Sequence, residues 1–584
     1  MCANRPDNLP DGIVRFDGGS ISGKEEFTVI GRGSVGAKAG GLAKVKRALE
    51  DKIAPSFRPS LQIQIPLLTV ITTEFFDPFI EDNKLASVSL SSLTDGQIAA
   101  AFSRAALPAA LVDHLRVFVS RVRTPLAVRS SSLLEDGMRA PFAGVYATRM
   151  IANHQPDVED RLSALVAAIK YVYASTYFRK ARHYVEAAGH IITQEKMAVI
   201  VQEVVGGWHT TRFYPEVSGV AQSFNFYPTG LARPEDGVVE LALGLGKAIV
   251  DEGAGWPFSP AYPHANPPYN TFSDLLNQSQ KHFWAIDAAK SEVSDPGNEI
   301  GSLTRYALSE AEHDAVLSLV ASTYRAADDR IVMGANEPGP RILDFAYILK
   351  ANLIPLPQLI TELLACCSET IGTMADIEFA LNMGRSNVEP SRFGFLQVRP
   401  AAAVYSQVEV SVDELAEGNV VVASEATLGN GTVESIRDIV YVKPEEFSAH
   451  DTTAVGLELE SINQKLTSAG CEYLLIGFGR WGSSDPSAGI PVNFAQIRGA
   501  RVIVEATLPN MDFMLSQGSH FFRNIMSFEI LYLSVGHHEK HKIDWDWLND
   551  QPAEAETALV RHVRLASPLS IRVDGRARRG LVCR

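Results

Sequence analysis

Leu42, Val45, Leu49 and Ile53 recur three or four residues apart behind a glycine-rich stretch, which predicts a flexible loop opening into a helix. The same spacing runs through Leu162, Leu165, Val166, Ile169, Val172, Tyr173 and Tyr177, predicting a long core-facing helix within Val158 to Ala188. Its aromatic residues are read as packing. Ile65 to Asn83 reads as a buried strand, a threonine N-cap and an amphipathic helix. Further strands are expected at Leu126 to Val128, at Met197 to Val205 and from Val217. Gly255 to Phe272 is too rich in proline for helix or inner strand, and is expected to be a covering loop or lid. Val420 to Phe447 carries short β patterns around an Asn430-Gly431 turn. A helix near Val455 to Leu466 and strands at Tyr473 to Ile476 and Arg501 to Glu505 predict an α/β region at the end.

At 584 residues the chain exceeds what one core organises, so two to four domains are expected. Apolar residues at 46% and charged residues at 21% are those of a soluble globular protein. Five cysteines without CxxC spacing argue for a reducing compartment and against structural zinc. A net charge of −15 has the wrong sign for a nucleic-acid partner, and basic residues should be local and purposeful. The arginine cluster of Arg572 to Arg584 is read as a solvated tail. The first residues lack the apolar core of a signal peptide, and no apolar run reaches membrane-spanning length, so cytoplasm and no membrane partner are expected.

The chemistry concentrates in a few segments. In PLAVRSSSLLEDGMRAPFAGVYAT a strand delivers Arg129 into a turn with Ser130, Ser131 and Ser132. A guanidinium grips phosphate oxygens two at a time, and the serines add hydroxyl donors; the alternative is a surface turn in which Arg129 pairs with Glu135 or Asp136. In the first glycine loop, Gly31 to Gly41 surround Lys38, where backbone N–H groups at a helix start attract anions. The alternative there is an ordinary connection with a solvated lysine. Asp376 and Glu378 are read as facing opposite sides of one strand, so that only one enters a cleft, while Gln397 and Arg399 share a face of the last strand. A surface pair between Glu378 and Arg399 is the competing reading.

Five blocks stand in one order: GRGSVGAKAGGLAKV, the arginine turn ending in FAG, MAVIVQEVV with VSGVAQSFNFYPTG and LALGLGKAIVDEG, DIEFA, and FLQVRP. Together they resemble the nucleotide-binding half of phosphoenolpyruvate synthase and pyruvate phosphate dikinase, an ATP-grasp-like module, over about Phe27 to Pro400. The resemblance implies an α/β fold with a two-lobed module at 27–400 (lobes about 27–190 and 191–400), after a polar lead-in at 1–26. A β-rich linker domain at 401–450 and a C-terminal α/β domain at 451–584 complete the expected organisation. It also implies an ATP-dependent phosphotransferase using ATP and Mg2+. Lys38, Arg129 and Arg399 would meet phosphate charge, Gln202 would line the adenine pocket, and Gly244 and Gly246 would help enclose the nucleotide. Glu378, selected over Asp376 by the family pattern, would hold magnesium with Gln397. Two departures are Ala37, where glycine is usual, and Lys247, where an acid often follows GLG.

The dikinases relay phosphate through a histidine, and no close copy of that segment exists here. The nearest is QGSHFFRN, in which His520 is read either as a phosphate acceptor or as a buried structural histidine. The loop Gly477 to Pro491 is read as a second anion site or a rigid turn with Trp481 packed beneath it. The chain is too short to include the family's pyruvate-binding barrel as well. The phosphate acceptor and the oligomeric state, homo-oligomer included, stay open. The alternative function is a non-catalytic regulatory or scaffold protein that keeps the ATP fold.

Overall fold

The structure, a computed structural model, describes residues 13–16, 27–86, 93–132, 135, 146–179, 181–182, 185, 192, 195–250, 252, 255–266, 275–276, 279–290, 301–384, 389–401, 408–448, 451–482, 489–492, 494–508, 530–537 and 543–584. They fall into two compact units of mixed α/β structure. The first takes in Met1–Ser223, Val239–His264 and Ser279–Val404, and the second Phe224–Val238, Ala265–Gln278 and Tyr405–Arg584.

The first unit is built on two six-stranded sheets. One runs in the order Val14–Arg15, Phe27–Ile30, Leu68–Ile71, Met197–Glu203, Leu126–Ser132 and Thr148–Ile151. Leu126, Val128, Val199 and Val201 point into a core closed by the helices Asp95–Arg104, Ala109–Arg121 and Val158–Ser175. Because side chains alternate along a strand, Arg129, Ser131 and Gln202 lie on the other face. The helix Gly36–Ala48 packs there. Met197–Glu203, expected in the second lobe, pairs antiparallel with Leu126–Ser132, so the two strands that carry Arg129 and Gln202 are neighbours. The expected long helix breaks after Ser175, and helix resumes at Arg179 among the described residues instead of running unbroken towards Ala188. Its start is held by Asp157, whose carboxylate accepts from the Glu159 N–H.

The second sheet of this unit runs Trp256–Phe258, Val238–Ala242, Val217–Gln222, Ala375–Asn382, Ser391–Pro400 and Leu61–Gln64. Ala375–Asn382 and Ser391–Pro400 are antiparallel, with Asp376 opposite Arg399 and Glu378 opposite Gln397. Gly36–Ala48 packs on Ser391–Pro400 too, which ties both sheets to one helix. Trp256–Phe258, within the stretch expected as a covering loop, is an edge strand; Pro257 is tolerated because an edge strand needs no N–H on its open side. Residues 267–272 of that stretch lie outside the described residues.

In the second unit a seven-stranded sheet runs Ala426–Leu428, Leu531–Val535, Ala500–Ala506, Tyr473–Phe478, Asp438–Val442, Val560–Arg564 and Ala553–Glu556. The segments expected as a linker domain and as a C-terminal domain thus contribute strands to one sheet. The helix Thr452–Ser468 connects two parallel strands of that sheet, as its apolar spacing predicts. Asn430-Gly431 does not close a hairpin. Ala426–Leu428 pairs with Leu531–Val535, whereas Gly431–Val433 pairs with Ser570–Asp574 in a separate four-stranded sheet. The arginine-rich end is no solvated tail, since Ser570–Asp574 and Arg579–Cys583 form a hairpin and Arg572 donates to Glu414 at 2.6 Å. Among the described residues no single helix is long and apolar enough to cross a membrane.

Candidate functional site

The glycine loop is held by the segment Thr72 to Glu74. Gly33 and Ser34 donate their N–H groups to the hydroxyls of Thr72 (3.2 Å) and Thr73 (3.0 Å), and the Arg32 N–H donates to the Glu74 carboxylate. The threonine N-cap expected for the following helix is not made: Thr72, at that position, makes no side-chain bond to it, and Thr72 and Thr73 hold this loop instead. At the start of Gly36–Ala48, Ser131 donates to the Val35 carbonyl at 2.8 Å and accepts from the Ala39 N–H at 3.2 Å. Gly36 sits at φ +76°, where a Cβ would stand 1.6 Å from the Ser131 carbonyl oxygen, so only glycine lets the loop lie on the strand. Several of the N–H groups expected to attract phosphate are therefore already paired.

Helix and strand bring Lys38 and Arg129 to the same region. Lys38 Nζ donates to Glu135 Oε1 at 2.7 Å and to Ser130 Oγ at 3.2 Å. Arg129 donates from Nη2 to Glu378 Oε2 at 3.0 Å and to Gln397 Oε1, and from Nη1 to the Leu396 carbonyl at 3.4 Å. Arg399 Nε donates to Asp376 Oδ2 at 3.3 Å. The partners expected for these residues are thus exchanged: Arg129 takes Glu378, Lys38 takes Glu135, and Arg399 takes Asp376. The reading that only one of Asp376 and Glu378 enters the cleft fails, because residues two apart on a strand share a face. Both carboxylates meet arginines.

Electrostatics separates the two acids. Burial pushes the Asp376 carboxyl up, and Arg399 offsets that only in part. Burial works in the same direction on Glu378, yet the fields of Arg129, Arg399 and Lys38 outweigh it and hold its pKa below the ordinary value. Glu378 is therefore anionic at neutral pH. The three serines expected as phosphate donors are fully buried and committed elsewhere: Ser130 donates to Glu135 at 2.8 Å, Ser131 to Val35, and Ser132 contacts the Glu195 carboxylate. Their physical role is to fix the strand end.

Residues 32–418, more than half of the chain, match the pyruvate phosphate dikinase AMP/ATP-binding domain. The chain belongs to this family. Membership implies ATP binding of the dikinase type and an ATP-grasp-like fold, here followed by the β-rich C-terminal region. No curated protein gives a significant match to the chain.

Of the residues expected to serve this family's nucleotide, Lys38, Arg129, Glu378, Gln397 and Arg399 converge as described. Gln202 is buried beside Ala127 and Leu68, and its Nε2 has no hydrogen-bond partner among the described residues. Gly244 lies in a tight loop at φ +81°, and its carbonyl accepts from Ser218 Oγ at 2.6 Å. Gly246 is followed by the short helix Lys247–Val250, and the Lys247 ammonium lies 5.5 Å from the centre of the Trp284 ring. The cation–π contact gives Lys247 a partner where the family often has an acid. His520 lies outside the described residues. Sequence reasoning missed Glu135 as the partner of Lys38, Glu195 behind Ser132, and Thr72, Thr73 and Glu74 on the glycine loop. The Glu135-Asp136 dipeptide was visible, but nothing local marks a carboxylate that becomes buried.

Proposed function

We propose that the chain is an ATP-dependent phosphotransferase of the dikinase type, with Mg-ATP held by its first unit and a phosphoryl group passed to a histidine or a small-molecule acceptor. The observation that carries this reading is the convergence of Lys38, Arg129, Glu378, Gln397 and Arg399, drawn from a helix, a distant strand and a pair of consecutive strands later in the chain.

The residues fit the ligands that the family implies. The buried Gln202 Nε2, a donor without an acceptor among the described residues, suits a nitrogen acceptor on an adenine edge. Glu378 Oε2 and Gln397 Oε1 reach one arginine nitrogen together, a pair of hard oxygens of the type magnesium takes. No group of three or more His, Cys, Asp or Glu gathers for a metal among the described residues, and magnesium in nucleotide sites completes its shell from phosphates and water. When bound, the ion would offset charge between phosphates. Arg129, Arg399 and Lys38 would orient the phosphate chain and stabilise charge on the transferred group, so positioning and electrostatics supply most of the acceleration.

The test is incubation with ATP labelled at the β- or at the γ-phosphate, followed by nucleotide analysis and a search for protein-bound label. A histidine relay yields AMP and an acid-labile phosphoprotein, and direct transfer yields ADP and no covalent intermediate. Lys38→Ala and Arg129→Ala should each abolish turnover. Turnover that persists in both removes the assigned phosphate site, and tight ATP binding with no turnover under any acceptor favours the regulatory alternative.

A further inference from the structure

Lys38 has a second anchor behind the proposed phosphate site. Glu135 is 1% exposed, and its two oxygens are shared out: Oε1 accepts from Lys38 Nζ at 2.7 Å and from Ser130 Oγ at 2.8 Å, while Oε2 accepts from the Ser132 N–H at 3.0 Å. The carboxylate is therefore locked to the end of the strand that also carries Arg129. An ammonium has three N–H donors. Glu135 and Ser130 take two of them at 2.7 and 3.2 Å, which aims the third and removes the freedom of a four-carbon stem.

We infer that Glu135, with Ser130, is the positioning residue that holds the Lys38 ammonium for nucleotide phosphates. This rests on the reading that Lys38 meets those phosphates. Glu135 acts through Lys38 and touches no ligand itself. A flexible lysine on a helix, ordered by the neighbouring strand end, meets an incoming phosphate without a further loss of side-chain freedom. The same device couples Lys38 to Arg129, because one strand end carries the arginine and two of the three groups that grip Glu135, the Ser130 hydroxyl and the Ser132 N–H, while Lys38 itself is the third.

The experiment is a double-mutant cycle on the full chain, reading the preference for ATP over AMP by calorimetric titration in the presence of magnesium. Glu135→Gln should lower that preference about tenfold in the native background and by no more than about twofold in a Lys38→Met background, as coupled neighbours do. The same loss in both backgrounds would overturn the inference and leave the phosphate site standing. A rise in ATP preference in Glu135→Gln would also overturn it, since the carboxylate would then compete with phosphate for the lysine. No change in Lys38→Met itself would sink the inference together with the reading beneath it. Should Glu135→Gln fail to fold, Ser130→Ala removes the other anchor without changing charge. It should cost about threefold in the native background and nothing with Lys38→Met; equal losses, or none, refute the assignment.

Discussion

Gly36→Ala is expected to damage both the stability of the first unit and its nucleotide binding, whereas Gly40→Ala, four residues on in the same helix, should stabilise. Gly36 has φ +76°, a conformation that costs an L side chain about 1–2 kcal/mol. The added methyl would also stand 1.6 Å from the Ser131 carbonyl oxygen, so the helix start or the strand must retreat by well over an ångström. That retreat breaks the two bonds of Ser131 to Val35 and Ala39, each about 1 kcal/mol. The sum is roughly 3–4 kcal/mol. Nothing lies within 4 Å of a Cβ built at Gly40, so alanine there only gains helix propensity, about 0.5–1 kcal/mol. Urea unfolding of both variants, followed by a probe in the first unit, gives the sign and the size. Because Lys38 sits two residues after Gly36, ATP affinity measured below the transition should fall for Gly36→Ala alone. A Gly36→Ala protein with native stability and native affinity would refute the packing argument, as would a Gly40→Ala protein destabilised to the same degree.

Arg129→Lys keeps the charge but loses the planar fork that serves Glu378, Gln397 and Leu396, so ATP affinity should drop at least about tenfold by titration. Glu195 is buried, and its carboxyl is pushed up to about 6, first by that burial. The proton is held more tightly in the folded state, so the stability it contributes is complete below the unfolded carboxylate range and fades as pH climbs through about 6. Glu195→Gln, neutral at every pH, should therefore gain about 2 kcal/mol relative to the native protein between pH 4 and pH 7.5, read from urea midpoints; a constant difference across that window refutes the assignment. In the second unit, Gly477→Ala would bring a methyl within 2.4 Å of the buried Trp481 ring, and overpacking of this kind costs about 1–3 kcal/mol. Its thermal transition should fall with ATP affinity unchanged.

How far the site could be read from the chain depended on whether a residue's role was local. Arg129 stood out because a charged residue at the end of an apolar strand is visible within seven positions, and Lys38 because glycines surround it. Their partners were hidden by distance: the carboxylate of Glu378 and the amide oxygen of Gln397 lie 249 and 268 residues from Arg129, and Glu135 lies 97 from Lys38. The expected threonine cap fails for the same reason. A threonine ahead of a helix looks like its cap, and the pattern holds no sign that a loop 39 residues earlier has unpaired N–H groups that compete for the hydroxyl. Helix and strand positions fared better than boundaries, since apolar spacing reports a buried face and not a helix end: Tyr177, buried two residues beyond Ser175, continues the spacing after the helix has stopped.

The serines show where composition misleads. A hydroxyl-rich turn beside an arginine has the makings of a phosphate cradle, but full burial of Ser130, Ser131 and Ser132 turns each hydroxyl inward. What then faces a nucleotide is a set of three cations, each already matched by a carboxylate: Lys38 by Glu135, Arg129 by Glu378, Arg399 by Asp376. The six groups sum to no net charge with all of them ionised. On the proposed reading, a triphosphate cannot be drawn in by bare excess of positive charge. It must arrive with its own cation or take the arginines from their carboxylates; as Arg129 turns to phosphate, Glu378 loses the largest of the fields that offset its burial, and a metal would supply the positive charge that replaces it. Glu135 is locked by Ser130 and the Ser132 N–H as well, so on the same reading it stays with the lysine when phosphate arrives.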